Sequence, residues 1–75
     1  MTMTRTGGRI LHALAGCVRT EATEAAIRFA CGGDRTAFRA ELAELEDAGL
    51  VVEDRHRRGV LVLTATGAIV EAHLS

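Results

Sequence analysis

Seventy-five residues with a formal net charge of −1 make one domain, and a chain this short buries only about 60% of its unfolded surface. Its apolar share, 48%, is ample for a single core, but two phenylalanines are the only aromatics, so that core is aliphatic. The charge counts against a strong non-specific polyanion binder, the longest aliphatic run (Val60 to Leu63) is too short to span a membrane, and Cys17 and Cys31 form neither a C-x-x-C pair nor a disulfide framework.

Residues 1–8 are small, polar and glycine-bearing and are expected to be a flexible lead, with the folded domain over 9–75. A first helix is predicted from Arg9 to Ala15, because Ile10, Leu11 and Leu14 recur at helical spacing and Gly16 stops it. Thr20 is the expected N-cap of a second helix running to about Cys31, with Glu21 and Glu24 favouring its positive start. Ala22, Ala25, Ala26 and Ala30 give that helix a small-residue face, with Phe29 as its one large anchor. Gly32-Gly33 breaks it. Asp34 caps a third helix to about Ala48, on which Phe38, Leu42 and Leu45 share one stripe. Gly49 supplies its left-handed end.

Two strands are expected next, Leu50 to Asp54 and Val60 to Thr64. They flank the tip Arg55-His56-Arg57-Arg58-Gly59, whose glycine permits the positive φ of a hairpin loop. Thr64 caps a last helix from Ala65 to Leu74, anchored by Ile69 and by Val70 or Leu74. The predicted order is α-α-α-β-β-α, a mainly α fold with a small β-hairpin in the α+β class.

The string Leu42-x-x-Leu45-Glu46-x-x-Gly49-Leu50-Val51, the Arg-rich tip and then Leu63-Thr64-x-x-Gly67 resembles the winged helix-turn-helix of MarR-, ArsR- or PadR-type transcriptional regulators. The resemblance covers about Arg9 to Leu74. It implies that the third helix, about 34–48, is a recognition helix for the major groove of double-stranded DNA. It implies also that the tip, 55–59, is a wing on the backbone or in the minor groove. The chain is expected to depart from the pattern in two respects: it has no room for the additional terminal helices that make the dimer in MarR-type regulators, and the second half of its third helix is acidic.

On a helical wheel with 100° steps, Thr36, Ala40 and Ala43 lie opposite the buried stripe, with Arg39 on the flank and Arg35 in the first turn. Alanine leaves room for a thymine methyl, and Arg35 or Arg39 can fork onto guanine. With no Asn or Gln in the chain, the usual adenine readers are missing. Arg55, His56, Arg57 and Arg58 form the densest basic cluster and are the candidate backbone contacts, with Thr20 and Thr23 as weaker phosphate candidates. The plain alternatives are that Arg35 and Arg39 solvate the helix and that the tip keeps a sheet edge soluble.

Cys17, Cys31, His12 and His73 have no metal-ligand spacing. No nucleophile–base arrangement or phosphate loop is present, and neither catalysis nor a cofactor is expected. The expected partners are duplex DNA and either a second copy (a homodimer through the first and last helices) or another protein, in the cytoplasm and away from membranes. The rival reading is a winged-helix protein-interaction module that does not bind DNA.

Overall fold

Thr4 starts the first helix. Its hydroxyl accepts the Gly7 N–H at 3.0 Å, capping α1 (Arg5–Ala15) in the computed structural model, which describes residues 4–74. The helix therefore begins four residues before the expected Arg9. Two glycines in its first turns, each costing about 1 kcal/mol relative to alanine, hid that start. Residues 1–3 of the expected lead, and residue 75, lie outside the described residues. Ile10, Leu11 and Leu14 are fully buried.

After α1 the chain makes a tight turn in which Arg19 and Thr20 both take positive φ, 61° and 53°. It then enters a strand that the sequence did not announce, β1 (Glu21–Thr23). Thr20 is thus not a helix cap, because its hydroxyl donates to the Arg19 carbonyl at 2.6 Å. Thr23 takes that role, accepting the Ala26 N–H at 3.1 Å at the start of α2 (Glu24–Cys31). On this short helix Ile27 is the core residue and Phe29 is 91% exposed. Two residues on from Ile27 is about 200° around the wheel, so Phe29 cannot share the buried side, and the expected anchor is a surface residue.

Gly32 and Gly33, at φ 70° and 83°, turn the chain into α3 (Arg35–Asp47). Asp34 caps it as expected, accepting the Ala37 N–H at 3.2 Å, and Phe38, Leu42 and Leu45 are buried. Gly49, at φ 76°, ends the helix and feeds buried Leu50 into β2 (Val51–Glu53), which pairs with β3 (Val60–Leu63). The register sets Val51 opposite Leu63 and Glu53 opposite Leu61. On the other edge of β3, Glu21 faces Val62 and Thr23 faces Val60. The sheet is antiparallel throughout, in the order β1-β3-β2.

The last helix, α4 (Ala65–Leu74), docks through a small residue. Ile69 and Leu74, two of its expected anchors, are 61% and 52% exposed, while Val70 packs against the core and Gly67 is buried. A Cβ on Gly67 would fall onto the Leu50 carbonyl oxygen and 2.7 Å from Leu63 Cδ1. Glycine here lets the helix backbone touch the entrance to β2. The order is α1-β1-α2-α3-β2-β3-α4, an α+β winged-helix arrangement. Among the described residues no helix is long and apolar enough to cross a membrane.

Candidate nucleic-acid interface

The outward side of α3 begins at the Gly32-Gly33 corner. Arg35, Thr36, Arg39 and Ala40 are all exposed there. Arg35 forms no ion pair among the described residues. Arg39 reaches Glu24 only loosely, at 3.8 Å. Towards the other end the surface turns acidic, and Arg35–Asp47 carries two arginines against four carboxylates.

The wing is built around Asp54. Its Oδ1 accepts the backbone N–H groups of His56 at 2.7 Å and Arg57 at 3.1 Å, which folds the tip back on itself. Gly59 closes the loop at φ 81°, donating its N–H to Glu53 Oε2 at 2.7 Å. The Gly59 carbonyl accepts the Glu24 N–H at 2.7 Å, tying the tip to the first residue of α2.

Arg57 is not a free tip cation. Its guanidinium forks onto Glu21, with Nη1 to Oε1 at 3.0 Å and Nη2 to Oε2 at 2.7 Å, and Nη2 also reaches Asp54 Oδ2 at 2.7 Å. These charge-assisted bonds hold the Glu21 and Asp54 carboxyls below their ordinary pKa values, with the His56 N–H helping Asp54. They raise the guanidinium's pKa still further. A bidentate fork suits a carboxylate as well as a phosphate, and here two carboxylates already occupy it. Arg57 braces the wing against β1, and Arg55, His56 and Arg58 are the exposed basic groups left at the tip. Thr20, turned to its own neighbour's carbonyl, offers no helix N-terminus to a phosphate.

α3 and the hairpin share a side of the molecule. Arg39, Ala43 and Glu46 of α3 and Glu53 and Leu61 of the sheet line a cleft of about 290 Å³, together with Glu24. Glu53 also borders the hollow formed by Arg55, His56 and Arg58. The two cationic ends are therefore separated by carboxylates. Glu46 feels this directly. Partial burial pushes its pKa up, and the charges of Glu53, Glu24 and Asp47 push it further. The sequence shows the two ends and the acidic half of α3, but not that Glu24 and Glu53 join Glu46 there, because those two come from elements far apart in the chain.

Elsewhere, Cys17 donates its thiol to the Ala13 carbonyl at 3.2 Å, and burial raises the Cys31 thiol's pKa. Among the described residues no group of three His, Cys, Asp or Glu is arranged to hold a metal ion. Set against protein-family models, curated proteins and solved structures, the chain finds no match in any of the three.

Proposed function

We propose that this chain is a small cytoplasmic DNA-binding protein of the transcription-regulator kind, docking on duplex DNA by the N-terminal half of α3 and by the tip of its wing. The observation that carries this reading is the exposed face of Arg35, Thr36 and Ala40 at a glycine-made corner, on a helix whose Arg39 lines a cleft shared with the hairpin. Inserted by its first turns, α3 brings Arg35 and Arg39 to guanine edges and Ala40 to a thymine methyl, while its acidic end tilts away from the phosphates. Arg55, His56 and Arg58 hold the backbone. One module of this size gives limited specificity, so a second copy or another protein completes the site.

Fluorescence anisotropy with guanine-containing duplexes at several salt concentrations tests this. Loss of both Arg55 and Arg58 as alanine should flatten the log–log salt slope by about 1.8, from roughly 0.9 per phosphate contact. Arg35→Ala should instead erode preference among base-substituted duplexes. Duplex binding that ignores salt, or that survives all three substitutions unchanged, overturns the reading.

One observation favours the rival. The cleft carboxylates Glu24, Glu46 and Glu53 suit a basic protein segment better than a polyanion. On that reading Glu46→Gln and Glu53→Gln weaken a protein complex and leave duplex binding absent in both forms.

A further inference from the structure

A hollow of about 860 Å³ lies away from the wing, between α1, the end of α2 and α4. Ligand sites commonly fall in this size range and combine mostly apolar walls with a few convergent polar groups. The walls here are Gly8, Ala13, Ala30, Cys31 and Leu74. Arg5 and Arg9 edge the same hollow. They stand one turn apart on α1, so their side chains leave from neighbouring points on one face. Neither forms an ion pair among the described residues, and α1 contains no acidic residue. The one carboxylate lining the hollow, Glu71, is engaged, with its Oε1 3.1 Å from His12 Nδ1. Arg9 also acts inside the hollow, where its charge favours the thiolate of half-buried Cys31 against the effect of burial.

Gly8 shapes the wall between the two arginines. A Cβ there would meet only Leu74 Cδ1, at 4.0 Å, an ordinary contact. The missing side chain leaves open space where a larger residue would project into the hollow without striking backbone.

We propose that this groove is a binding site for an amphipathic monoanion, an acyl carboxylate whose apolar body lies along Gly8, Ala13 and Leu74 and whose carboxylate is forked by Arg5 and Arg9. The charge asymmetry selects the ligand's sign, since two uncommitted guanidinium groups meet a single acid that is already engaged. The apolar walls select against inorganic anions, which gain nothing from Leu74 or Ala30. Because α1 also packs on α2 and α3, a ligand held there bears on the helix-turn-helix from behind, but the site stands whether or not the protein binds DNA.

Octanoate is a suitable probe, titrated into the full chain while the backbone amide resonances of Gly8, Ala13 and Leu74 are followed. Saturable shifts at one octanoate per chain are expected, with octanol binding about tenfold more weakly because it lacks the charge-assisted bonds. Replacing Arg5 and Arg9 together by Ala should weaken octanoate about tenfold and leave octanol unchanged. Gly8→Leu should abolish binding of both while the circular dichroism spectrum stays native. No saturable shift, equal affinity for octanoate and octanol, or a second copy of the chain that fills the groove and is not displaced by octanoate overturns the proposal.

Discussion

The two ends of the β2–β3 hairpin use opposite chemistry for opposite purposes. At the base, Leu63, Thr64 and Gly67 close against Gly49 and Leu50. The Thr64 N–H donates to the Leu50 carbonyl at 3.0 Å. Its hydroxyl lies 2.7 Å from the Gly49 carbonyl and 3.0 Å from that of Leu50, and it accepts the Gly67 N–H at 2.9 Å. At the tip, charged groups bond to one another in the open, and Arg57 is spent holding Glu21 and Asp54. The base tolerates almost no change of shape because backbone meets backbone there. The tip tolerates changes of shape and responds to changes of charge. Leu63-Thr64-x-x-Gly67 thus has a physical meaning independent of any family, as a buried apolar residue, a cap and a contact point in five positions.

The sharpest way to break the contrast is Gly67→Ala. Its new methyl has nowhere to go but into the Leu50 backbone, and overpacking against an unyielding neighbour costs about 3 kcal/mol. In a domain whose total stability is on the order of 5–15 kcal/mol, that is a severe loss, read as a fall in the urea midpoint. Gly8→Ala is the matched control. Its methyl has ordinary room, and gained helix propensity should raise stability by up to about 1 kcal/mol.

Thr64→Val keeps the shape of the base and removes the hydroxyl. The Gly67 N–H then loses its acceptor, and a lost N-cap costs about 1–2 kcal/mol. Thr64→Ser should recover most of it. If Val and Ser variants unfold at the same denaturant concentration, the hydroxyl is not what joins α4 to the hairpin.

At the tip, Arg57→Ala should produce a smaller loss of stability, with a pH signature. Glu21 and Asp54 have folded-state pKa values below their ordinary ones because of Arg57. The stability they contribute is therefore complete above their ordinary values of 4.5 and 3.8 and drains away as pH falls through the lowered ones. Removing Arg57 should flatten that acid limb in urea titrations run from neutral pH downwards. An unchanged limb would mean that the brace contributes nothing. For DNA binding, the same substitution should alter the salt slope less than loss of Arg55 and Arg58, since its charge is already compensated.

Much of this was legible in the sequence, and what was not has a common cause. The periodicity of Phe38, Leu42 and Leu45, the cap at Asp34 and the glycines at 49 and 59 are local signals, so α3 and the hairpin could be placed from them. β1 carries no local signal. Glu-Ala-Thr is a strand only because β3 offers it an edge. Two Thr-Glu pairs, at 20–21 and 23–24, advertise a helix start equally well, and only the pairing of β1 decides for the second. The misreading of Arg57 follows directly. Its partner Glu21 is 36 positions away, on the strand that was not foreseen, so the cation looked free. Phe29 differs for another reason: its size suggests an anchor, but its angle on α2 sets it away from buried Ile27.

The smallest expected effect is also the one that bears most directly on function. Glu46 has a folded-state pKa raised by partial burial and by Glu53, Glu24 and Asp47. A group shifted in this direction helps the fold when protonated and loses that contribution as pH rises through its folded value, so at neutral pH its charge opposes folding. Glu46→Gln removes the charge and keeps the shape. The urea midpoint at neutral pH should rise slightly, and the rise should vanish under acid conditions where Glu46 is already protonated. The same substitution removes one negative charge from between the two cationic ends of the proposed DNA surface. Duplex affinity should therefore increase, most at low salt, where the screening length is longest. A stability gain without any affinity gain would separate the two ends of the surface for good, leaving the cleft acids as part of the fold or of a protein contact rather than as a brake on a polyanion.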